Sequence, residues 1–255
     1  MSNKTSRIAV PLLRAEDVIP HLGRPSHWKE GRSAKSLADS WFNADGVPKS
    51  ISALLSSAPE LRDARLLDGW LERKTDLGDG CGAASQTDLL ALLSLDRELA
   101  VLAIEAKVDE SFGDIVDDWI ADGSVRKFKR LAGLCARLGI EPKSTGPLRY
   151  QLLHRTVAAL IEAERFHAPK AVLAVQSFCP KSTGFADFQA FAKAIGFEVV
   201  ERGSLVGPRR FGQIDLWIGW KSNDIWKEFF ERPGSPDFPD VNEKYDADGR
   251  PIPAS

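Results

Sequence analysis

Cysteine is scarce. Cys81, Cys135 and Cys179 are the only three in 255 residues, and they stand far apart with no C-x-x-C pair. An odd number at such spacing suggests neither a disulfide framework nor a zinc knuckle, and a reducing, cytoplasmic setting is expected. Long apolar runs are lacking as well. The stretch from Met1 to Val18 holds only the brief run Ile8–Leu13, and no window approaches the roughly 20 apolar residues of a membrane span, so neither an export signal nor a membrane partner is expected. Charge of one sign is also missing: 34 Lys and Arg against 36 Asp and Glu leave a net charge of -2, and the pI is near 6.1. A global field that collects nucleic acid is thereby excluded, and any such partner needs a local patch. The glycine-rich segment Gly78–Gly82 lacks the Lys-Ser/Thr ending of a phosphate-cradling P-loop and reads as a flexible connection. No internal repeat is present. What remains is the composition of an ordinary globular protein, 43% hydrophobic and 27% charged, with enough apolar residues for a sizeable core.

Periodicity divides the chain into elements. Ser26 is placed to cap a helix through Phe42, in which Ala34, Leu37, Ala38 and Trp41 share a face that reaches Glu30 one turn earlier. A short helix follows Pro48, turning Ile51, Leu54 and Leu55 inward, with Pro59 beyond its end. Residues 64–73 read as a first strand, weakened at Asp68 and Gly69. Thr87–Leu95 and Leu99–Val108 are strand-length apolar runs separated by Asp96-Arg97-Glu98, a tight hairpin at the centre of a sheet. Helices are expected around 113–121 and from Ser124 to Leu138. The second carries Val125, Phe128, Leu131, Ala132, Cys135 and Leu138 on one face and closes at Gly139. Pro147 opens a long helix to about Phe166, stopped by Pro169. The unbroken apolar run Ala171–Phe178 predicts a strand covered on both faces. A helix at Phe185–Ile195 and strands at Glu198–Arg202 and Gln213–Lys221 complete the pattern. From Arg232 onward Pro, Gly, Asp and Ser dominate and periodicity is lost, as in an extended arm or disordered tail. Asp246-Ala247-Asp248-Gly249 within it lacks most ligands of a calcium loop. The expected organisation is one α/β domain over 1–231, with a core at about 26–178, a C-terminal α/β extension, and a tail over 232–255.

The hairpin carries the chemistry. A two-residue turn at Asp96-Arg97 sets Asp88 opposite Glu105. Directly opposed residues have Cβ atoms about 4.5–5.5 Å apart, where two carboxylates repel and call for a cation. A divalent metal is the natural candidate. Glu105 and Lys107, two apart on a strand, share a face, while Ile104 and Ala106 point the other way. Everything around them is apolar, and buried ions cost on the order of several kcal/mol each unless paired or coordinated. Perturbed charge clusters of this kind favour active sites; the plain alternative is a structural salt bridge at a sheet edge.

Thr87-Asp88 followed by Glu105-Ala106-Lys107 resembles the Asp…Glu-x-Lys signature of the PD-(D/E)XK, or restriction-endonuclease-like, nuclease superfamily, although Thr87 stands where the family name has proline. The order of elements resembles its αβββαβ core, a central mixed sheet flanked by helices. The resemblance implies a DNA nuclease dependent on Mg²⁺ or Mn²⁺ that leaves a 5′-phosphate and a 3′-hydroxyl. Carried over by position, Asp88, Glu105 and the Ala106 carbonyl would be metal ligands, Lys107 the catalytic lysine, and Glu30 the glutamate that members often add from the first helix. DNA is favoured over RNA as partner, and many endonucleases of this fold act as homodimers. The stretches His27-Trp28-Lys29-Glu30-Gly31-Arg32-Ser33-Ala34 and Arg149-Tyr150-Gln151-Leu152-Leu153-His154-Arg155 resemble those of a small bacterial family of uncharacterised proteins assigned to the superfamily. The competing reading is a catalytically inactive module of the same fold that binds nucleic acid or a protein partner.

Other residues have two readings each. Gln151, His154 and Arg155, at i, i+3 and i+4, read first as a helix's solvated face, with Gln151 and Arg155 kept as candidate substrate contacts. Acidic residues such as Glu30 are favoured in the first turn of any helix. The run Arg126-Lys127-Phe128-Lys129-Arg130 and the shorter Arg209-Arg210-Phe211 interleave cations with an aromatic, as a nucleic-acid contact does, but a solvated face is the commoner explanation. Trp217 and Trp220 are expected in the core or at an interface.

Overall fold

The computed structural model describes residues 11–179, 182–198 and 200–222. The expected tail and its Asp246–Gly249 stretch lie outside the described residues. Six strands form a mixed open sheet: β1 (Arg65–Thr75), β2 (Ser85–Ser94), β3 (Leu99–Lys107), β4 (Lys170–Ser177), β5 (Leu205–Phe211) and β6 (Ile214–Ser222), in the order β1-β2-β3-β4-β6-β5. β1, β2 and β3 are antiparallel neighbours, β4 runs parallel to both β3 and β6, and β5 closes the far edge antiparallel to β6. Among the described residues, the helices are α1 (Ser33–Phe42), α2 (Lys49–Leu55), α3 (Val116–Trp119), α4 (Val125–Leu138), α5 (Tyr150–Arg165) and α6 (Phe185–Ala194).

Strand alternation sorts the core into two layers. Val101 and Ala103 of β3, Leu173 and Val175 of β4 and Leu216, Ile218 and Trp220 of β6 pack with α4, α5 and α6. The residues between them face α1 and α2. Thus Gln176 accepts a hydrogen bond from the Trp41 indole (3.1 Å), and Gly219 lets Leu54 approach. Trp217 and Trp220 are both core residues, as expected. Period-2 alternation then places Glu105 and Lys107, at the end of β3, on the α5 side.

The hairpin has the expected register. The Leu95 N–H donates to the Glu98 carbonyl (2.9 Å) across Asp96-Arg97, and the ladder runs from Ser94↔Leu99 to Leu89↔Ile104, which leaves Asp88 and Glu105 next in line. α2, β4 and α6 also fall where periodicity puts them. Gly139 ends α4 in the left-handed conformation that glycine adopts without penalty.

Several expectations need correction. The first helix begins at Ser33 with Arg32 as its N-cap, not after an N-cap at Ser26, because residues 25–27 form a 3-10 turn and Gly31 takes φ 72 before the helix can propagate. The helix expected around 113–121 is the single turn α3, and the long helix starts at Tyr150 rather than Pro147. The face expected on α4 is rotated. Val125 (81% exposed) and Phe128 (46%) lie outside, whereas Arg130 lies inside, its guanidinium held by Asp79 (2.6 and 3.0 Å) and the Ala83 carbonyl (2.8 Å). No strand covers 198–202 among the described residues beyond one bridge from Arg202 to Trp220; the strand is β5, which contains Gly207-Pro208. Proline is tolerated there because β5 is an edge strand with an irregular register between Val206 and Arg209.

One buried atom stands out. Thr87 is 1% exposed, and its Oγ1 has no hydrogen-bond partner among the described residues. Leaving a buried hydroxyl unsatisfied costs about 1–3 kcal/mol. Thr87→Val, which keeps the shape and removes the orphan, is expected to raise stability by roughly 1 kcal/mol in urea denaturation.

Candidate active site

Three elements converge where β3 ends. Glu105 is 1% and Lys107 6% exposed, and the Lys107 Nζ lies 2.9 Å from Glu105 Oε1. Asp88 meets β3 through its backbone: Oδ2 accepts the Ala106 N–H at 2.8 Å. In a strand the N–H and C=O of one residue point to the same neighbour, so the Ala106 carbonyl opens toward Asp88 too. α5 supplies the third side. Gln151 Nε2 donates to Glu105 Oε1 (2.6 Å), Lys107 Nζ donates to Gln151 Oε1 (3.1 Å), and Arg155 Nε donates to Glu105 Oε2 (2.6 Å). Arg155 also donates to Ser85 Oγ (3.1 Å), and its Nη2 lies 3.7 Å from Asp88 Oδ1.

Gln151 and Arg155 are therefore not a solvated face. The i, i+4 spacing lays both on the same stripe of α5, and that stripe is pressed onto the acidic end of the sheet. His154 also turns inward to Ser85 Oγ (2.9 Å), and burial drives its imidazole pKa down to about 3.

The four ionisable groups divide unequally. Burial, reinforced by the charge of Glu105, pushes the Asp88 carboxyl well above the usual range. Burial acts on Glu105 in the same sense, but Lys107 and Arg155 outweigh it and hold Glu105 well below its ordinary value. Burial alone would lower Lys107; Glu105 and Asp88 reverse that and raise it. Lys107 is thus a charged donor, not a base, and Asp88 is a carboxylate short of a counter-charge.

A cleft of about 590 Å³ opens onto this cluster, lined by Asp88, Glu105, Ala106, Lys107, Gln151 and Arg155 and also by Leu22, Gly23, Ser26, His27, Arg32, Ser33 and Ala34. Glu110 ties the last of these to the end of β3: its carboxylate accepts the Ser33 N–H (3.4 Å) and hydroxyl (3.1 Å) with one oxygen and the Val108 N–H (2.8 Å) with the other. Burial would raise this carboxyl, but the hydrogen bonds hold it below the ordinary range.

Glu30 is not part of the cluster. It precedes α1, its side chain is 87% exposed, and it pairs with Lys35 at 3.1 Å. A carboxylate that the sequence did not point to, Glu72 of β1, lines the cleft instead, and burial pushes its pKa up. Glu72 has φ 54, a left-handed conformation rare outside glycine and one that marks local strain. The kink reverses the alternation of β1. Trp70 stacks on Phe166 on the α5 side, and Arg73, three residues on, reaches the same side to meet Glu162. Plain alternation would put Trp70 and Arg73 on opposite faces.

The donors suit a hard divalent cation. Asp88 Oδ1 carries no hydrogen bond among the described residues, Glu105 Oε2 has one partner and a spare lone pair, and the Ala106 carbonyl adds a third oxygen. Among the described residues, no group of three or more His, Cys, Asp or Glu side chains is placed to hold a metal ion.

Fold and site together define an α/β protein whose mixed open sheet carries two carboxylates and a lysine at the ends of adjacent strands, under a helix that holds them in register. Residues 11–225 match the family described as a domain of unknown function, DUF6946, and the chain belongs to that family. No curated protein and no solved structure matches it. Among the described residues, no helix is long and apolar enough to cross a membrane.

Proposed function

We propose that the chain is a nuclease of the restriction-endonuclease-like, PD-(D/E)XK class that hydrolyses phosphodiester bonds of DNA with Mg²⁺ or Mn²⁺. The observation that carries the reading is the meeting of Asp88, Glu105 and Lys107 at one end of the β2–β3 hairpin, with the Asp88 carboxyl facing a cleft and its nearest counter-charge, Arg155, 3.7 Å away and already bonded to Glu105. Further support comes from the order of elements, with α1 before three antiparallel strands, helices between β3 and β4, and β4 parallel to β3.

Asp88, Glu105 and the Ala106 carbonyl would hold the cation, with Glu72 at the cleft wall and Glu30 taking no part. When bound, such an ion neutralises phosphate charge and lowers the pKa of a water. The chain's own residues do the rest. Lys107, held protonated by Glu105, places a point charge, and the one donor not already given to Glu105 and Gln151, where a scissile phosphate and its attacking water would lie. Gln151 fixes both Lys107 and Glu105, so the distance between donor and carboxylate is set before substrate arrives. Arg155 balances Glu105 and lies within reach of a phosphate oxygen entering beside Asp88.

A second reading has its own support. Glu105 is already bonded by Gln151, Lys107 and Arg155, as in a site closed for structural purposes, which suits an inactive module that binds nucleic acid or protein. Incubation with linear, nicked and single-stranded DNA and with RNA separates the two. Cleavage is expected in Mg²⁺ or Mn²⁺, absent with excess chelator, and slowed by roughly 10²–10³-fold in Lys107→Ala. If every substrate survives in both ions, and calorimetric Mn²⁺ titration gives the same curve for wild type and Glu105→Ala, the enzymatic reading is overturned.

A further inference from the structure

The cations that line the cleft differ in how far they are committed. Lys107 is held by Glu105 and Gln151, and Arg155 by Glu105 and Ser85, so both serve the cluster itself. Arg32 does not. Among the described residues its guanidinium makes a single hydrogen bond, from Nη1 to Asp109 Oδ1 at 3.3 Å, and its other N–H donors have no protein acceptor. Both side chains of this pair are exposed, and an exposed pair holds weakly. Lys35, on the first turn of α1, is by contrast shared between Glu30 (3.1 Å) and Asp39 (2.7 Å).

The backbone fixes where Arg32 sits. Gly31, at φ 72, turns the chain so that the Arg32 N–H bonds to the Lys29 carbonyl (3.1 Å), and Glu110 then ties Ser33 to the Val108 N–H. Val108 directly follows Lys107. Asp109, the partner of Arg32, follows Lys107 by two residues, a backbone span of at most about 7 Å. Arg32 and Lys107 thus line one cleft from two chain segments, with the guanidinium beside the carboxylate–lysine cluster rather than in it. The other carboxylates of this wall are occupied: Glu110 by Ser33 and Val108, Glu30 by Lys35, and Glu72 by Gln86. Asp109 is left as the anion in contact with Arg32.

A planar fork of donors matches two oxygens of a phosphate better than the one carboxylate oxygen it now meets. With a net charge of -2 the chain cannot gather a polyanion by its overall field, so a cation held at the cleft has to do so locally. We infer that Arg32 binds a backbone phosphate of the DNA strand next to the one at the cluster, and that this phosphate takes Arg32 from Asp109. Asp109 keeps the guanidinium at the cleft until the strand enters. The inference rests on the nuclease reading for its substrate, but binding can be measured without cleavage.

Fluorescence anisotropy in excess chelator tests it on the full chain, with a labelled DNA duplex of about 20 base pairs over a range of salt. Arg32→Ala is expected to bind roughly 10-fold more weakly and to lower the slope of log K against log salt by about 1. Arg32→Lys should restore the slope but only part of the affinity, because an ammonium lacks the two-pronged contact. Asp109→Asn is expected to act in the opposite direction and tighten binding roughly 2- to 5-fold. That gain should vanish in the Arg32→Ala background, since Asp109 acts through Arg32. An equal gain with Arg32 absent overturns the exchange, because Asp109 then merely repels the strand. Unaltered binding in Arg32→Ala, or no binding by the wild type, overturns the inference even if the wild type cuts DNA. Lower melting temperatures in both single variants with unaltered binding overturn it in favour of a structural pair. Conversely, if these shifts appear while the wild type cleaves nothing in any divalent ion, the phosphate contact stands and the nuclease reading falls.

Discussion

Asp88→Asn is expected to cut DNA on the order of 10³-fold more slowly than the wild type, yet to melt at a higher temperature at pH 8 in the absence of divalent ions. The Asp88 carboxyl is raised by burial and by Glu105, so its ionised form is disfavoured in the fold relative to the unfolded chain. A group raised in this way contributes stability that is fully present below its unfolded pKa, near 3.8, and lost as pH rises through its folded pKa. Asparagine keeps an oxygen for the Ala106 N–H and carries no charge to desolvate. The gap in melting temperature between variant and wild type should therefore widen from pH 5 to pH 8. About a fifth of the Asp88 side chain remains exposed, so solvent screens part of the effect, and a gain of about 2 kcal/mol at pH 8 is a reasonable expectation. Thermal melts across that range, with cleavage assays on the same samples, decide the matter. A variant less stable than the wild type at pH 8 would assign Asp88 to the scaffold and remove the sign that it awaits a cation.

Glu162→Ala is expected to show the largest loss of stability, about 3–5 kcal/mol in urea denaturation. Glu162 is 2% exposed, and its carboxylate accepts from Arg73 Nε and Nη2 (3.3 and 3.2 Å), Thr75 Oγ1 (2.8 Å) and Arg165 Nη1 (3.2 Å). Removing the acceptor leaves a largely buried guanidinium and a buried hydroxyl without partners, which costs more than the pair contributes when intact. Arg73→Met with Glu162→Met, which removes both charges and keeps the volume, should recover most of the loss. If the single substitution changes stability by less than about 1 kcal/mol, Glu162 is no anchor.

The hairpin was legible in the sequence because a two-residue turn allows only one register, and that register brings Asp88, Glu105 and Lys107 together. The apolar runs of β3 and β4 were legible for the same reason: strands buried on both faces tolerate little else. Glu72 was hidden, since nothing in Leu-Glu-Arg announces a left-handed residue in a strand. Glu110 was hidden because it lies in the loop beyond β3 and folds back onto Val108 and Ser33. On α5 and α4, charge was read as solvent exposure. Arg155 and Arg130 are buried because a carboxylate from a distant segment meets each, and helical spacing carries no record of such partners; Glu162, which the sequence did not single out, is buried against the distant Arg73 in the same way. Glu30 was misplaced because Gly31 delays the helix that would have carried it.

α5 touches two strands at once. Gln151 and Arg155 grip the end of β3, and Glu162, two turns further along, grips β1. Since about 16 Å of helix rise joins the first of these residues to the last, any tilt of that rod moves both attachments together. Loosening the edge strand therefore detunes the carboxylate–lysine geometry from a distance, and on the nuclease reading a screen for impaired cleavage is expected to return substitutions at 73, 75 and 162, which lie on the far attachment.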